Sequence, residues 1–398
     1  MTKEIEVRKG YKKTKVGVIP EEWEVERLSS IFSHFKSGLG ITSNNISNMG
    51  EFPVFGGNGL RGFTNSYTHN GSYILIGRQG ALCGNIRFAS GQIYISEHAI
   101  AAQTNDLNDL QYFKYKLEYK KLNRLSESSA QPGLSVIKLL RVKLDVPPLA
   151  EQQKIATILT TWDKAIENVQ LVIDNLKVRN KGLAQQLLTG KKRLKGFEGE
   201  WKKYTLNDIA IRVKRRNSEL NDNVITISAQ RGFVLQEEFF NKRVASATLS
   251  NYYLLVQGEF AYNKSYSKGY PMGAFKRLNN LNKAVVTTLY ICFKLKANVN
   301  SNFMEQFFEA GLMTKNLMRI AQEGGRAHGL LNIGLSDFFN LKLIIPSLKE
   351  QHAISKILEE ANQELKLYEK KLVTLQEQKK GLMQKLLTGE IRVKTEKL

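Results

Sequence analysis

The side chains of this sequence that are best suited to chemistry are basic, amide and aromatic groups in glycine-containing stretches. In GRQG (77–80), Arg78 and Gln79 stand between two glycines. A guanidinium group bonds guanine well in the DNA major groove, and a carboxamide bonds adenine. A second stretch, NKSYSKGYPMGAFKR (263–277), interleaves lysines with tyrosines, so that lysines can hold phosphates while Asn263 faces a base edge. These patterns indicate contact with a nucleic acid.

We predict DNA-contacting residues in both halves of the chain, in segments that carry basic or hydrogen-bonding side chains. The predicted contacts of the first half are Lys36, Arg61, Arg78 and Gln79. Those of the second half are Lys214, Arg215, Arg216, Asn263, Lys264, Tyr266 and Lys268. The alternative for each of them is an ordinary solvated side chain, because charged residues usually lie on the protein surface.

Motifs for catalysis are missing or lack their structural context. FGGNG (55–59) fits the F-x-G-x-G pattern with which methyltransferases hold S-adenosylmethionine, but a turn-rich stretch follows it instead of a helix. The sequence has no G-x-x-x-x-G-K-[S/T] phosphate loop and no Pro-Asp motif followed by Glu-x-Lys. Glu97 and His98 are neighbours, and neighbours on a strand point to opposite faces, which favours a structural histidine. We therefore predict a non-enzymatic chain with no catalytic residue and no metal site, whose partners carry the catalysis.

The charge of the chain favours a polyanionic partner. Its 398 residues include 59 Lys and Arg against 37 Asp and Glu, which gives a formal net charge of +22 at pH 7. Neutralising phosphates releases condensed counterions, and this release drives a basic protein onto nucleic acid. The alternative is a basic protein that is merely soluble. The length indicates two or three domains rather than one core.

Cysteine usage and hydropathy bear on the compartment. Cys83 and Cys292 have no cysteine or histidine partner at metal-ligand spacing, so neither a disulfide framework nor a zinc site is expected. The opening MTKEIEVRKGYKK has no apolar run of the secretory kind, and no stretch approaches ~20 uninterrupted apolar residues. The predicted location is a reducing cytoplasm, with no membrane partner.

The elements that position these side chains repeat along the sequence. KGLAQQLLTG (181–190) returns as KGLMQKLLTG (380–389), and at the same offset of 199 residues PPLAEQQKIATIL (147–159) returns as PSLKEQHAISKIL (346–358). Proline punctuates the strand-like sequence before each copy, a glutamate falls in the first turn where it complements the helix dipole, and a glycine closes the copy. Each copy is therefore predicted to be one long helix.

Within both predicted helices the apolar residues repeat every seven positions, which is the pattern of a coiled coil. The predicted seam of the first helix is Ile155, Leu159, Trp162, Ile166, Val169, Ile173 and Leu176. That of the second helix is Ile354, Leu358, Leu365, Tyr368, Leu372 and Leu375. Asn180 and Lys379 interrupt the rows at equivalent positions. Such residues either fix the register or lie at a solvated end of the seam, and we favour the solvated end.

We predict an α+β protein in which two α/β domains are separated by two long helices, with an internal pseudo-two-fold repeat. Because the first helix leaves the first domain and the second helix leaves the second, the simplest arrangement is an antiparallel coiled coil with a domain at each end. The alternative is that the helices pack separately against other subunits. The predicted segments are an N-terminal segment (1–22), the first domain (23–146), the first helix (147–190), the second domain (191–345), the second helix (346–390) and a C-terminal tail (391–398).

Taken together, these features resemble the specificity subunits of type I restriction–modification systems. The matching motifs are GVIPEEWEVERL (17–28) before the first domain, PPLAEQ and PSLKEQ at the helix starts, the two LLTG endings, and GFEGEW (196–201) before the second domain. They span essentially the whole chain, and the paired helix motifs are highly specific. The sequence departs from the pattern at Ser347, which replaces a proline, at His352, which replaces a glutamine, and in lacking a second VIPEEW.

The resemblance implies two target-recognition domains, each of which reads one half of a split, asymmetric double-stranded DNA sequence, and an antiparallel coiled coil that fixes the gap between the halves. It also implies two modification subunits that dock on the helices and methylate adenine with S-adenosylmethionine. Restriction subunits, which hydrolyse ATP in the presence of Mg, are expected to join them. No cofactor is expected in this chain itself, which would serve defence against foreign DNA in a bacterium or archaeon.

Two other functions fit part of the pattern. A stand-alone DNA-binding protein or coiled-coil scaffold would share the charge and the helices, and recovery of no methyltransferase partner would favour it. A fused methyltransferase-nuclease would need the catalytic motifs that are missing, and methyl transfer by the purified chain alone would favour it. The DNA target, the spacer length and the half-site that each domain reads do not follow from the sequence.

Overall fold

The structure is a computed structural model of the chain. It describes residues 8–80, 82–126, 132–242, 245, 248–326 and 330–395. Residues 1–7 of the predicted N-terminal segment and 396–398 of the predicted tail lie outside the described residues, and smaller gaps fall within both predicted domains.

The chain divides into two compact units. The first unit is made of Met1–Leu171 and Lys370–Leu398, and the second unit is Val172–Glu369. Two long helices, Leu149–Leu187 and Leu348–Leu387, each contribute a part to both units. Each unit is a mixed α/β structure.

The first unit is built around a six-stranded sheet. Its elements in chain order are β1 (Tyr11–Thr14), β2 (Gly17–Pro20), β3 (Glu24–Arg27), α1 (Leu28–Ile31), β4 (Phe32–Ser37), β5 (Phe52–Gly56), β6 (Gly59–Thr64), β7 (His69–Gly77), β8 (Ile86–Ile95), β9 (Ala99–Thr104), α2 (Leu110–Lys120), α3 (Val136–Leu140), β10 (Lys143–Val146) and α4 (Leu149–Leu187), the last of which continues into the second unit. Short 3-10 turns occupy Ser43–Asn45 and Leu122–Leu125.

The six strands follow the order β4-β9-β7-β8-β5-β6, antiparallel except for the pair of β5 with β8. Successive side chains of the central strand β7 point to opposite faces. Ile74 and Ile76 therefore join the core that contains Phe113 of α2, whereas Tyr73 and Leu75 join a smaller core on the other face. The aspartate before α2 caps that helix through the N–H of Tyr112, at 2.7 Å.

The second unit is built around a four-stranded sheet. Its further elements are β11 (Lys202–Thr205), α5 (Leu206–Ile209), β12 (Ala210–Arg212), β13 (Ile225–Ser228), β14 (Gly232–Leu235), α6 (Gln236–Phe240), β15 (Tyr253–Val256), β16 (Phe260–Asn263), β17 (Ala274–Arg277), β18 (Lys283–Val286), β19 (Ile291–Leu295), α7 (Ser301–Glu309), α8 (Thr314–Ile320), β20 (Gln322–Arg326), β21 (Leu330–Asn332), α9 (Leu335–Phe339), β22 (Lys342–Ile345) and α10 (Leu348–Leu387), which continues into the first unit.

Aromatic rings form much of the core of the second unit. The sheet runs in the order β12-β19-β16-β17 with antiparallel neighbours. Phe275 of β17 stacks on Phe308 of α7 with ring centroids 4.4 Å apart, and Phe260 stacks on Phe293 at 5.4 Å. Offset stacking of this kind adds to the stability that burial provides, and it holds α7 against the sheet.

Each long helix begins with a set of contacts that we call its helix-start clamp. In the first unit, the side-chain oxygen of Gln152 accepts a hydrogen bond from the backbone N–H of Asp109 at 2.8 Å. In the second unit, Gln351 accepts one from the backbone N–H of Asn300, also at 2.8 Å. Each glutamine donates to the carbonyl of the proline five residues before it, at 2.9 Å in both units. The two clamps therefore fix each helix start to its own α/β part in the same way.

A buried glutamate completes each clamp. Glu151 forms a bidentate ion pair with Arg392, with both N–O distances 2.8 Å, and Trp23 donates to the same carboxylate at 2.9 Å. Glu350 forms the equivalent bidentate pair with Arg193, at 2.8 and 2.9 Å. Both arginines stand three residues after the glycine of LLTG, so the repeat is longer than its apolar part suggests.

The two long helices contact each other within the first unit. Asp163 of α4 contacts the ammonium group of Lys379 of α10. Nearer the start of α4, Ile155 shares a core with Leu386 near the end of α10. Positions therefore rise along one helix as they fall along the other, and the segments are antiparallel in this unit.

The helices are also antiparallel where they meet in the second unit. Lys177 forms an ion pair with Glu369 at 3.1 Å. Farther along α4, Asn180 donates to the carbonyl of Ala361 at 2.8 Å. The side chain of Asn180 is 8% exposed, so the expectation of a solvated end is wrong at this position. A buried amide that bonds the backbone of the opposite helix favours one register, which is the other of the two roles considered for this residue.

The predicted seam residues differ in burial along the helices. Those that are buried are Ile155, Leu159, Val169, Ile173, Leu176, Ile354 and Leu358. Those that are half-buried are Trp162, Ile166, Leu365, Tyr368, Leu372 and Leu375. A single coiled coil through the whole length of both helices stays a prediction.

Segments that the sequence suggested were separate pack together in the first unit. The hydroxyl of Tyr11 donates to the carbonyl of Gly389 at 2.7 Å, and Arg392 contacts Glu22 at 2.6 Å. Gly389 has a positive φ of 72°, and a Cβ at that position would lie 2.6 Å from the ring of Pro20. The described parts of the predicted N-terminal segment and tail therefore close the end of α10.

Candidate nucleic-acid interface

A cleft of about 330 Å³ in the first unit brings together two of the predicted contacts. Its polar lining is formed by Asn58, Arg61, Gln79 and His98. These side chains provide a guanidinium group, two carboxamides and an imidazole, which together can donate to and accept from the edges of bases. The cleft is therefore a candidate surface for reading a base sequence.

The FGGNG segment shapes one wall of this cleft. It forms the turn between β5 and β6, with Gly56 opposite Gly59. A Cβ at Gly57 would lie 2.7 Å from the carbonyl oxygen of His98 and 3.1 Å from the Cα of Gly77. Only glycine allows this close approach, which sets the hairpin against the end of β7. The segment is thus a hairpin turn.

The GRQG segment shapes the opposite wall, directly after β7. The backbone N–H of Arg78 donates to the carbonyl of His98 at 2.9 Å, and the carbonyl of Arg78 accepts from the N–H of Leu134 at 2.9 Å. The Gln79 side chain lies 3.3 Å from Nδ1 of His98. The other ring nitrogen of that histidine lies 3.2 Å from Glu97. These contacts hold Gln79 at the cleft, while the side chain of Arg78 is half-buried.

Lys36 is not part of the lining of this cleft. It is exposed on β4, in the neighbourhood of a ring cluster formed by His34, His69 and Tyr73 with centroid separations of 5.0 to 5.8 Å. Burial lowers the pKa of His34, and the charge of Lys36 lowers it further. Burial also lowers the pKa of His69, with a contribution from His34. Both imidazoles are therefore predominantly neutral near pH 7, and Lys36 supplies the positive charge here.

Four predicted contacts of the second unit share one loop between β16 and β17. Asn263 begins the loop and accepts from the N–H of Ser265 at 3.1 Å, which orients its side chain. Gly273 closes the loop with a positive φ of 78°, and a Cβ there would lie 2.2 Å from the carbonyl oxygen of Asn263. Tyr266 is 66% exposed and Lys268 is exposed, whereas Lys264 is half-buried. An exposed ring beside ammonium groups suits stacking and phosphate contact.

The three basic residues of VKRRN have different surroundings. Lys214 is exposed. Arg215 forms an ion pair at 2.7 Å with Glu259, whose side chain is only 6% exposed. Arg216 lies over the ring of Tyr253 at 5.1 Å, and it also bonds a backbone carbonyl. Glu259 lies directly before β16, whereas the loop with the predicted contacts follows β16. Arg215 is therefore held at the start of this strand, and the loop lies at its end.

Sequence reasoning missed several polar residues at these surfaces. In the first unit they are Asn58 and His98, which line the cleft. In the second unit Gln230 donates to the carbonyl of Lys268 at 3.0 Å, and the exposed Arg231 follows it. The segment QRG in the turn between β13 and β14 resembles RQG after β7, and this similarity was a signal that could have been used.

The described part of the chain contains no group of three or more His, Cys, Asp or Glu side chains arranged to hold a metal ion. Among the described residues, no helix has the length and apolar character needed to cross a membrane.

Comparison with known proteins places these features in a family. A family model for the type I restriction modification DNA specificity domain matches residues 20–177 and 198–377. The specificity subunit of the Escherichia coli type I restriction enzyme EcoprrI is 39% identical over 138 residues, which are 34% of each chain. The MjaVIII specificity subunit of Methanocaldococcus jannaschii is 24% identical over an alignment of 417 positions including gaps, which covers 94% of each chain. The match to EcoprrI thus spans about a third of that relative, whereas the match to MjaVIII spans nearly all of it.

Solved structures show the same fold. The crystal structure of a type I restriction–modification S subunit from M. genitalium superposes with a TM-score of 0.59 at 16% identity, covering 96% of this chain and 98% of that one. A chain from a structure concerned with complex assembly of a type I restriction–modification system gives a TM-score of 0.53 at 12% identity, with 94% and 99% covered. The family model matches twice and accounts for most of the residues, and the chain therefore belongs to the type I restriction–modification DNA specificity family.

Proposed function

We propose that this chain recognises a bipartite, asymmetric double-stranded DNA target and assembles the other subunits of a type I restriction–modification complex around it. Each of its two α/β domains reads one half of the target. The long helices form an antiparallel coiled coil that sets the distance between the two halves.

The observation that carries this proposal is the duplicated helix-start clamp. Gln152 and Gln351 make the same backbone contacts at the same distances, and a buried glutamate beside each accepts a bidentate arginine. Two α/β parts are thus attached to a repeated helical element by the same glutamine contacts and the same glutamate–arginine pair. Such duplication is expected of a protein that carries two reading domains on one frame.

The surfaces of the two units support DNA as the ligand. The first unit offers the cleft with Arg61 and Gln79, and the second offers the loop with Asn263, Tyr266 and Lys268. The net charge of +22 supplies the attraction to phosphates that is independent of sequence. Two short readouts on one frame combine, because the second contact becomes intramolecular once the first is made.

The family suggests the partners and their chemistry. Two modification subunits are proposed to bind the long helices and to methylate adenine with S-adenosylmethionine. Restriction subunits are proposed to join this core and to use ATP and Mg. All three cofactors are proposed to lie in the partners, and the complex is proposed to act in the cytoplasm of a bacterium or archaeon.

The spacer role of the helices is tested by shortening both together. The segments Asn168–Asp174 and Tyr368–Thr374 lie opposite each other, because Asp163 meets Lys379 and Asn180 meets Ala361. Removing both takes seven residues from each helix, which preserves the heptad period and shortens the helices by about 10 Å. Since one base pair rises ~3.4 Å, the accepted gap should shrink by about three base pairs.

Methylation mapping in cells that carry the modification subunits and the shortened chain is the measurement. Deletion of the same seven residues from α4 alone serves as the control and should abolish methylation, because it places the two helices out of register. An unchanged gap between the two half-sites in the doubly shortened chain would contradict the spacer proposal.

A further inference from the structure

A cavity of about 770 Å³ lies within the second unit, and its lining includes none of the residues that we predict to contact DNA. Its walls come from α4 and the segment after it, from α7, the start of α8 and the residues between them, and from α10. The apolar part of its lining includes Ala184, Ala310 and Leu358. Its volume is in the range of pockets that hold small molecules.

The corresponding space in the first unit is occupied by larger side chains. The repeat of the long helices and the two clamps define which positions correspond. At the positions of Asn180, Ala184, Gln306 and Ala310, the first unit has Lys379, Met383, Tyr115 and Tyr119. Tyr115 is completely buried there, and the ammonium group of Lys379 lies 5.1 Å from its ring centroid. The cavity is therefore a specific feature of the second unit and does not follow from the architecture.

A buried acceptor in the lining lacks a donor. The side-chain nitrogen of Gln306 donates to the carbonyl of Ser355 at 3.3 Å, and this contact determines which end of the amide is oxygen. The oxygen is buried and has no hydrogen-bond partner among the described residues. Buried acceptors are normally paired, and a ligand that carries an N–H group can pair this one once the Gln306 amide turns into the cavity.

The rim of the cavity is basic. Lys181, Lys191 and Lys315 line it from three different segments, and no ion pair holds any of them in the part of the chain that the structure describes. Glu309 also lines the cavity, but Lys276 neutralises it. Three separate ammonium groups suit a ligand with several negative charges better than a single carboxylate.

We propose that this cavity binds a purine nucleoside polyphosphate, with an amino-bearing flat ring on the apolar lining and the phosphates at the lysines. The apolar lining accommodates the ring, the Gln306 side chain rotates so that its oxygen accepts from the amino group, and the rim neutralises the charge. Because the first unit fills the equivalent space, the chain holds one such ligand. This site goes beyond the recognition of DNA that we propose above.

Calorimetric titration of the full-length chain with ADP tests the site. We expect one ADP per chain, with adenosine and inorganic pyrophosphate each binding at least tenfold more weakly, because each retains only half of the contacts. Ala184→Met introduces the residue that the first unit has at this position, and it should abolish ADP binding by filling the cavity. The double change Lys181→Glu and Lys315→Glu should weaken ADP binding at least tenfold.

The repeat supplies a matched control. Lys380→Glu, at the position that corresponds to Lys181, should leave ADP binding unchanged, and circular dichroism should show that each variant keeps its fold. Equal affinity for pyrophosphate and ADP would reduce the site to an anion contact and overturn the proposal, as would a folded Ala184→Met chain that binds ADP normally. Competition between ADP and a DNA duplex or polyglutamate, with both weakened by Ala184→Met, would assign the cavity to a macromolecule instead.

Discussion

At the scale of single residues, the cleft of the first unit combines groups that can both donate and accept. Arg61 lies on β6 and Gln79 follows β7, and the hairpin turn at Gly57 brings them to one cavity. A guanidinium group with a carboxamide beside it can distinguish bases, whereas we expect a lone exposed lysine such as Lys36 mainly to contact phosphate.

Replacing Arg61 by alanine should therefore relax sequence preference in one half of the target only. A bidentate contact to a base contributes ~1–3 kcal/mol of discrimination, so preference at that half should fall about 10- to 100-fold. Lys36→Ala is the matched control and should weaken binding about equally on all sequences. The measurement is competition binding of the assembled complex to duplexes altered in one half-site. A uniform loss for Arg61→Ala would make it a phosphate contact.

A buried lysine distinguishes the first unit from the second. Lys116 is 1% exposed and its ammonium group lies 2.7 Å from the carboxylate of Asp145. The corresponding positions of the second unit carry Phe307 and Ile344. Burial lowers the pKa of Lys116 to about 8 from an ordinary 10.5, although Asp145 opposes the change. Phe307 is buried as Lys116 is, but Ile344 is 50% exposed, so the first unit alone holds a buried ion pair at these positions.

The change Lys116→Met alone should destabilise the first unit by about 3–5 kcal/mol, because Asp145 is left buried without its partner. The double change Lys116→Phe with Asp145→Ile removes both charges together and should cost less, because no buried charge is left without its partner. Hydrogen exchange of α2, measured for the three chains at pH 7, checks the order. Equal loss of protection in the single and double variants would show that the unpaired charge of Asp145 is not what destabilises the single variant.

The same pair predicts a dependence on pH. Between about pH 8 and 10.5 the folded chain has released the Lys116 proton while the unfolded chain still binds it. Stability rises with pH wherever the unfolded state binds more protons, so the free energy of unfolding should rise with pH in this interval. The Lys116→Phe, Asp145→Ile chain lacks the titrating amine. Its stability relative to the natural chain should fall from pH 8 to pH 10, and a constant difference in hydrogen exchange would refute this.

Sequence reasoning located residue types better than it located their partners. Arg61 and Gln79 were named from the sequence as DNA contacts, and this role stays a prediction. His98 was weighed only against its neighbour Glu97, and its contact with Gln79 crosses 19 positions. Arg215 was named for its charge alone, but in the structure its guanidinium group is paired with Glu259, which is 44 positions away. A pattern describes what a side chain can do, and folding decides which partner it meets.

At the scale of elements, the long helices followed from the sequence almost completely. Their period and closing glycines predicted helices that the structure places at Leu149–Leu187 and Leu348–Leu387. What periodicity omits is the contact between elements. The hydrogen bond of Asn180 to Ala361, and the arginine three residues beyond each LLTG, became visible only with the packing.

The clamps predict separable effects of matched substitutions. Gln152→Ala should loosen the start of α2 and Gln351→Ala the start of α7, because each removes the acceptor of one half-buried N–H, at a cost of about 1 kcal/mol. Hydrogen exchange at the two helix starts is the measurement, with the exposed neighbour Gln153→Ala as the control. If either change loosened both helix starts equally, the clamps would not act within their own units.

At the scale of the whole molecule, the two units reach the same contacts by different routes. In the second unit, Arg193 and Gly190 belong to the segment that leads directly from α4 into the domain. Arg193 pairs there with Glu350, and Gly190 lies against the ring of Trp201. In the first unit, Arg392 and Gly389 reach Glu151 and Trp23 from the other side of the sequence. The resemblance to specificity subunits was confirmed by family comparison. The contact of the segment after α10 with the first unit was missed, because the sequence was divided into consecutive segments.

This difference predicts unequal effects of equivalent arginines. Arg392→Ala should loosen the segment after α10, because it removes the ion pairs with Glu151 and Glu22 and leaves mainly the packing of Val393 on the core, and should raise hydrogen exchange there by at least tenfold. Arg193→Ala also leaves a buried glutamate unpaired, but the backbone still holds that segment in place, so the effect should stay local. Comparable exchange after both substitutions would show that closure of the first unit does not depend on Arg392.

The acceptor at each clamp has a consequence for how such chains diversify. Gln152 and Gln351 receive a main-chain N–H, which nineteen of the twenty amino acids possess in identical form. This bond therefore makes almost no demand on side-chain identity, although the side chains of Trp23 and Asn108 also bond the start of α4 in the first unit. We expect that a domain of very different sequence can be attached to the same helix, as long as it places one backbone N–H at this point.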